Sequence, residues 1–101
     1  MSGWLPFSYR DFHDVPRLLA FSYAGHWYIL DCQFDDDLDE YEGSFRLLRV
    51  VDADVPDLEG SDWRNIVDRA SFVAALPVDS VQFDSTKRQK IADSVLEFVR
   101  N

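Results

Sequence analysis

Residues 17–23 and 26–33 are two largely apolar runs, and they flank Ala24-Gly25. Glycine supplies the positive φ that a tight turn between antiparallel strands needs. Ala-Gly is a weaker form of the Asn-Gly signal, and the pattern predicts a β-hairpin. Pairing Tyr23 with His26 sets Phe21 opposite Tyr28 and Leu19 opposite Leu30. Leu19, Phe21, Tyr23, Tyr28, Leu30 and Cys32 then share one face, which reads as the core face. Leu18, Ala20, Ser22, Trp27, Ile29 and Asp31 share the other, which is less uniformly apolar.

The flanking segments carry weaker patterns. Residues 1–16 are aromatic but irregular, with Trp4, Phe7, Tyr9 and Phe12 alongside Pro6 and Pro16. The prolines interrupt any long helix, so these aromatics are expected to fold over a core edge. Residues 45–51 return to strand character and predict a third strand. Residues 52–60 read as an acidic loop around Pro56. Ser61 can cap a following helix, with Asp62 favourable at its positive end. Trp63, Ile66, Val67, Ala70 and Ala74 follow the spacing of one buried helix face, and Pro77 stops it. Residues 78–83 predict a short strand. Asp84 or Ser85 caps a last helix with Ile91, Val95 and Phe98 as its apolar stripe. The sum is an α+β fold in one domain, residues 1–101. It is a mostly antiparallel small sheet, the β-hairpin plus one or two strands, with two helices packed on one face.

Composition narrows the function classes. The chain has 101 residues, 15% of them aromatic, and a single cysteine. Its length suits one core, and its aromatic content is too high for a disordered segment. One cysteine excludes an internal disulfide framework and fits a reducing compartment. There is no run of about 20 apolar residues and no basic-then-apolar leader, so the expectation is a cytoplasmic protein with no membrane partner.

Charge is the most informative feature. Residues 1–30 are neutral overall, residues 63–101 sum to +1, and residues 31–62 carry twelve acidic and two basic side chains, net −10. The formal charge of −9 therefore sits in the middle third. Direct nucleic-acid binding is not expected, because it requires Lys and Arg to displace phosphate counterions.

Within that third, Asp35, Asp37 and Asp39 have the alternate spacing of a calcium loop. The sixth position is Glu40 where glycine is needed and the twelfth is Arg46 where a bidentate Glu is needed, so no metal site is assigned. Cys32 lies on the core face beside acids that raise a thiol pKa, which argues against a nucleophile. His13 and His26 show no metal-ligand spacing. Gly3, Gly25, Gly43 and Gly60 stand alone, so no phosphate-cradling loop is present and no cofactor is expected. Lys87-Arg88-Gln89-Lys90 is the only basic cluster and reads as a solvated helix turn. What remains is a partner-binding surface: Asp35, Asp36, Asp37, Asp39, Glu40 and Glu42 supply charge, and Leu38, Tyr41 and Trp27 supply apolar anchoring.

The stretch Phe12-His13-Asp14-Val15-Pro16-Arg17, with the later Asp31-Cys32-Gln33-Phe34-Asp35-Asp36-Asp37-Leu38-Asp39-Glu40-Tyr41, resembles small acidic bacterial proteins of unassigned function. By size and charge the chain is also similar to immunity proteins, which block a toxin by binding it. That resemblance implies a bacterial cytoplasmic setting and brings no catalytic residue. The expected function is a non-enzymatic acidic binding module of immunity or inhibitor type. It would mask a basic surface on a protein partner such as a toxin or a nucleic-acid-binding protein. A structural or adaptor subunit, a nucleic-acid mimic and a small metal-dependent hydrolase are the alternatives.

Overall fold

The hairpin forms in the expected register. In the computed structural model, which describes residues 4–13, 15–84 and 90–99, Tyr23 pairs with His26, Phe21 with Tyr28 and Leu19 with Leu30. Ala24 and Gly25 turn the chain at φ of 53° and 83°, the two positive values that a two-residue hairpin loop of this hand requires.

In chain order the strands are β1 (Trp4–Pro6), β2 (Ser8–His13), β3 (Val15–Tyr23), β4 (His26–Asp31), β5 (Phe34–Asp35), β6 (Glu40–Tyr41) and β7 (Ser44–Arg49). A 3₁₀ segment (Asp52–Glu59), helix α1 (Arg64–Arg69), β8 (Ser71–Pro77) and β9 (Lys90–Ala92) follow, with short 3₁₀ turns at Val78–Ser80 and Asp93–Phe98. Five strands form one antiparallel sheet in the order β2-β3-β4-β7-β8, while β1 pairs with β9 and β5 with β6. The expected third strand is therefore present as β7, beside β4.

The expectation of two helices on one face of the sheet is wrong. The fold is mostly sheet, and its helical segments are short and lie on both faces. On one face Leu19, Phe21, Tyr28, Leu30, Phe45, Leu47 and Leu76 pack with Ile91, Val95 and Leu96 from the C-terminal segment. On the other, Ala20, Ile29, Leu48 and Val50 pack with Leu58, Trp63 and Ile66. The second hairpin face is thus also a core face, and the 3₁₀ segment with α1 covers it.

Four local expectations fail. The helix starting near Trp63 ends at Ala70, because Phe72 and Val73 favour extended backbone and Ser71, Phe72 and Ala74 pair with β7. Ser61 does not cap it; Asp62 Oδ1 accepts the Arg64 backbone N–H at 3.0 Å instead. Residues 78–83 form a 3₁₀ turn and a single bridge from Phe83 to Ile91 in place of a strand. The last helix is replaced by β9, where Leu5 pairs with Ile91, and by a 3₁₀ turn that buries Val95 and Leu96 but leaves Phe98 39% exposed. Lys87, Arg88 and Gln89 of the basic cluster, and Ser85, lie outside the described residues.

Both edges of the large sheet are irregular. Arg10 is the extra residue of a bulge in β2, and Val73 is the extra residue of one in β8. Pro77, which has no amide hydrogen, closes β8. Bulges and prolines on an edge discourage pairing with a further strand.

The 3₁₀ segment is fastened by an ion pair that the sequence did not reveal. Asp54 is buried, and its carboxylate accepts both Arg69 Nε (2.9 Å) and an Arg69 terminal nitrogen (2.7 Å). The guanidinium hydrogen bonds hold the Asp54 carboxyl below the usual range. Asp62, in an exposed pair with Arg64, is lowered to about 2 for the same reason. A carboxyl whose folded pKa is depressed stabilises the fold above its unfolded pKa, near 3.9, and that contribution is lost as pH falls through the folded value. Thermal melts of wild type and Asp54→Asn should therefore differ most at neutral pH and converge as pH drops below about 4. A gap that stays constant from pH 7 to pH 2 would show that the ion pair contributes nothing pH-dependent.

Candidate partner-binding surface

The acidic segment is an ordered ribbon. β5 and β6 pair Phe34 with Tyr41 and Asp35 with Glu40. Asp35 Oδ1 accepts the backbone N–H groups of Asp37 (2.9 Å) and Leu38 (3.3 Å), and Asp39 takes the left-handed conformation at φ 54°. That side-chain bond replaces a backbone turn and is what short acidic residues do well. Asp36, Asp37, Leu38, Asp39, Glu40 and Glu42 are exposed, Leu38 to 66%, while Asp35 is half-buried.

Tyr41 is placed differently from the rest. Its hydroxyl donates to Asp11 Oδ2 on β2 at 3.1 Å, the Arg17 guanidinium lies 4.7 Å over its ring, and Phe34 meets it edge-on at 5.1 Å. Burial and the Asp11 carboxylate raise its phenol pKa. Tyr41 therefore docks the acidic ribbon onto the sheet, and the apolar groups that the ribbon shows to solvent are Leu38 and Phe34, the latter 46% exposed. Trp27 is not part of this surface. It lies at the other end of β4 and packs on the second core, beside Ala20, Leu58 and Trp63.

The same docking brings in residues that the sequence reading assigned to a core edge. Tyr9 and Phe12 on β2 are 41% and 47% exposed, with ring centroids 5.6 Å apart, and they flank Asp11. No local signal distinguishes them from Phe7, which packs against the first core and meets Phe83 edge-on at 5.8 Å. What exposes them is that β2 is an outer strand of the sheet.

Two other places could carry chemistry. Cys32 is buried; its thiol donates to the Glu42 carbonyl at 3.1 Å, and an Arg17 terminal nitrogen lies 3.5 Å from the sulfur. Burial pushes the thiol pKa up, and the Arg17 contact offsets this only in part. An open cleft of about 580 Å³ is lined by Arg10, Asp31, Arg46, Asp62, Trp63 and Arg64 together with neighbouring side chains. Its cations each meet a protein acceptor, although the Arg46 Nε is buried without a hydrogen-bond partner. Arg46 pairs with Asp31, Arg64 grips both oxygens of Asp62, and Arg10 donates to the Leu58 and Gly60 carbonyls. Among the described residues no group of three His, Cys, Asp or Glu side chains is placed to hold a metal ion. Nor is any described helix long and apolar enough to cross a membrane. Comparison of the chain with protein-family models, curated proteins and solved structures finds no match.

Proposed function

We propose that the protein is a non-enzymatic binding module that covers a basic surface on a protein partner. The observation that supports this reading is the juxtaposition of exposed apolar groups with concentrated negative charge: Phe34 and Leu38 project from a ribbon carrying six carboxylates in residues 35–42. A solubilising loop gains nothing from an exposed Phe and Leu, whereas an interface gains its anchoring area from them. The carboxylates steer the encounter, and the apolar groups set the lifetime of the complex. Inhibition of a toxin, or occupation of a nucleic-acid-binding groove, is a use to which such a module can be put.

Pull-down at low and moderate salt with mass spectrometry identifies the partner, and association kinetics then test the reading. Neutralising Asp36, Asp37, Asp39 and Glu40 to Asn or Gln should leave the melting temperature unchanged or slightly raised, since all four are exposed like charges. The same variant should associate on the order of ten-fold more slowly or worse at low salt, with a flatter salt dependence. If it associates as fast as wild type, the segment only solubilises the protein. If it unfolds, the four acids serve the fold and not a partner.

A further inference from the structure

We propose that the partner segment is arginine-bearing, and that its guanidinium groups settle on the exposed rings of Phe34 and Phe12 inside the acidic field. This rests on the binding-module reading and names the chemistry that the surface selects.

The molecule itself shows how its rings take a cation. Arg17 lies 4.7 Å over Tyr41, and Arg10 lies 4.6 Å over Trp63. Both cations are guanidinium groups laid on a ring whose surroundings supply oxygen acceptors or carboxylates. Phe34 adjoins the first of these rings and leaves 46% of its own surface to solvent; Phe12 leaves 47%. Tyr41 ties the ribbon bearing Phe34 to β2, the strand bearing Phe12, because its hydroxyl donates to Asp11.

Charge complementarity selects the occupant. Residues 35–42 carry six carboxylates and no basic side chain. An aromatic face attracts a cation through its quadrupole. A guanidinium is planar, weakly hydrated and able to pair bidentately with a carboxylate while stacking, whereas an ammonium is compact and strongly hydrated. Carboxylates alone favour arginine modestly, through bidentate pairing, and exposed rings beside them enlarge that preference. A further strand adding to β2 is not required, and the bulge at Arg10 works against it.

The test compares two Gly/Ser peptides of equal length and charge, one carrying four arginines and the other four lysines, by fluorescence anisotropy at about 0.15 M salt. Wild type should bind the arginine peptide roughly three- to ten-fold more tightly. Phe34→Leu combined with Phe12→Leu keeps apolar area, and it should shrink that preference by weakening the arginine peptide more than the lysine peptide. The two single variants, each at an exposed position, should show intermediate preference, and their melting temperatures report that the fold is intact. The variant with four neutralised acids should weaken both peptides in parallel. Equal affinity for the two peptides in wild type, or a preference undiminished in the Phe→Leu variants, overturns the inference and leaves the acidic module standing. Failure of wild type to bind either peptide overturns both.

Discussion

Phe21→Ala should cost the protein about 3–5 kcal/mol, whereas Phe98→Ala should cost less than about 1 kcal/mol. Phe21 is fully buried at the middle of β3, with its ring stacked on Tyr28 at 5.6 Å. Leu19, Leu30, Phe45 and Leu47 belong to the same cluster, on paired strands that cannot close in independently. Truncation there removes the ring and leaves a cavity. Phe98 lies on the terminal 3₁₀ turn and keeps 39% of its surface in water. For a domain of this size each kcal/mol moves the melting temperature by about 4–8 °C, so Phe21→Ala should melt at least about 12 °C lower than wild type. The pattern of apolar positions alone places both residues in buried stripes, so the pair of melts discriminates the observed fold from the expected one. Equal losses in the two variants would restore the C-terminal helix; a wild-type melt for Phe21→Ala would remove the first core.

The hairpin was legible because its information is local. A two-residue turn determines which residues face each other, and a slip of one residue would exchange Phe21 and Leu30 with the side chains that fit the second core. The same locality explains the failures. Trp63, Ile66, Val67 and Ala70 fit a helix face, and the fit continues by coincidence to Ala74, since small residues suit either element. Pairing with β7 over Ser44–Arg49 decides the outcome, and nothing between residues 71 and 77 announces that partner. β1 meets β9 across some 85 residues of chain, so no windowed pattern reveals either strand. Ile91 and Val95 are buried as expected even though the element holding them is different, because burial follows the apolar side chain more faithfully than the backbone state.

The proposed binding surface was half legible for a related reason. Charge survives folding unchanged, so residues 35–42 could be read directly from their carboxylates. The roles of the aromatics depend on who their neighbours are. Tyr41 is spent on Asp11 and Arg17, Trp27 on the second core, and Tyr9 and Phe12 are left at an edge that only the strand order defines.

Trp63→Ala should be the most damaging change on the second face of the sheet, at about 3–5 kcal/mol. Trp63 is 1% exposed, and its indole N–H is shared between the Leu58 and Gly60 carbonyls at 3.1 Å each. Those two oxygens also receive Arg10, from Nε to Gly60 at 2.8 Å and from a terminal nitrogen to Leu58 at 3.0 Å, while the guanidinium covers the indole. The node joins the bulge of β2 to the end of the 3₁₀ segment and so clamps the cover onto the sheet. Its energetics should be cooperative in a specific direction. Trp63→Phe keeps a ring and most of the volume, and each carbonyl still has Arg10, so its cost should be about 1–2 kcal/mol. Arg10→Ala leaves both oxygens bonded to the indole and should cost about 1 kcal/mol. The double variant removes both donors from the Leu58 carbonyl, on a buried residue, and its loss should exceed the sum of the two by about 0.5–3 kcal/mol. Chemical denaturation of the four proteins measures that coupling directly. Strict additivity would mean that Arg10 is a surface ornament and that packing of Trp63 alone closes the second core.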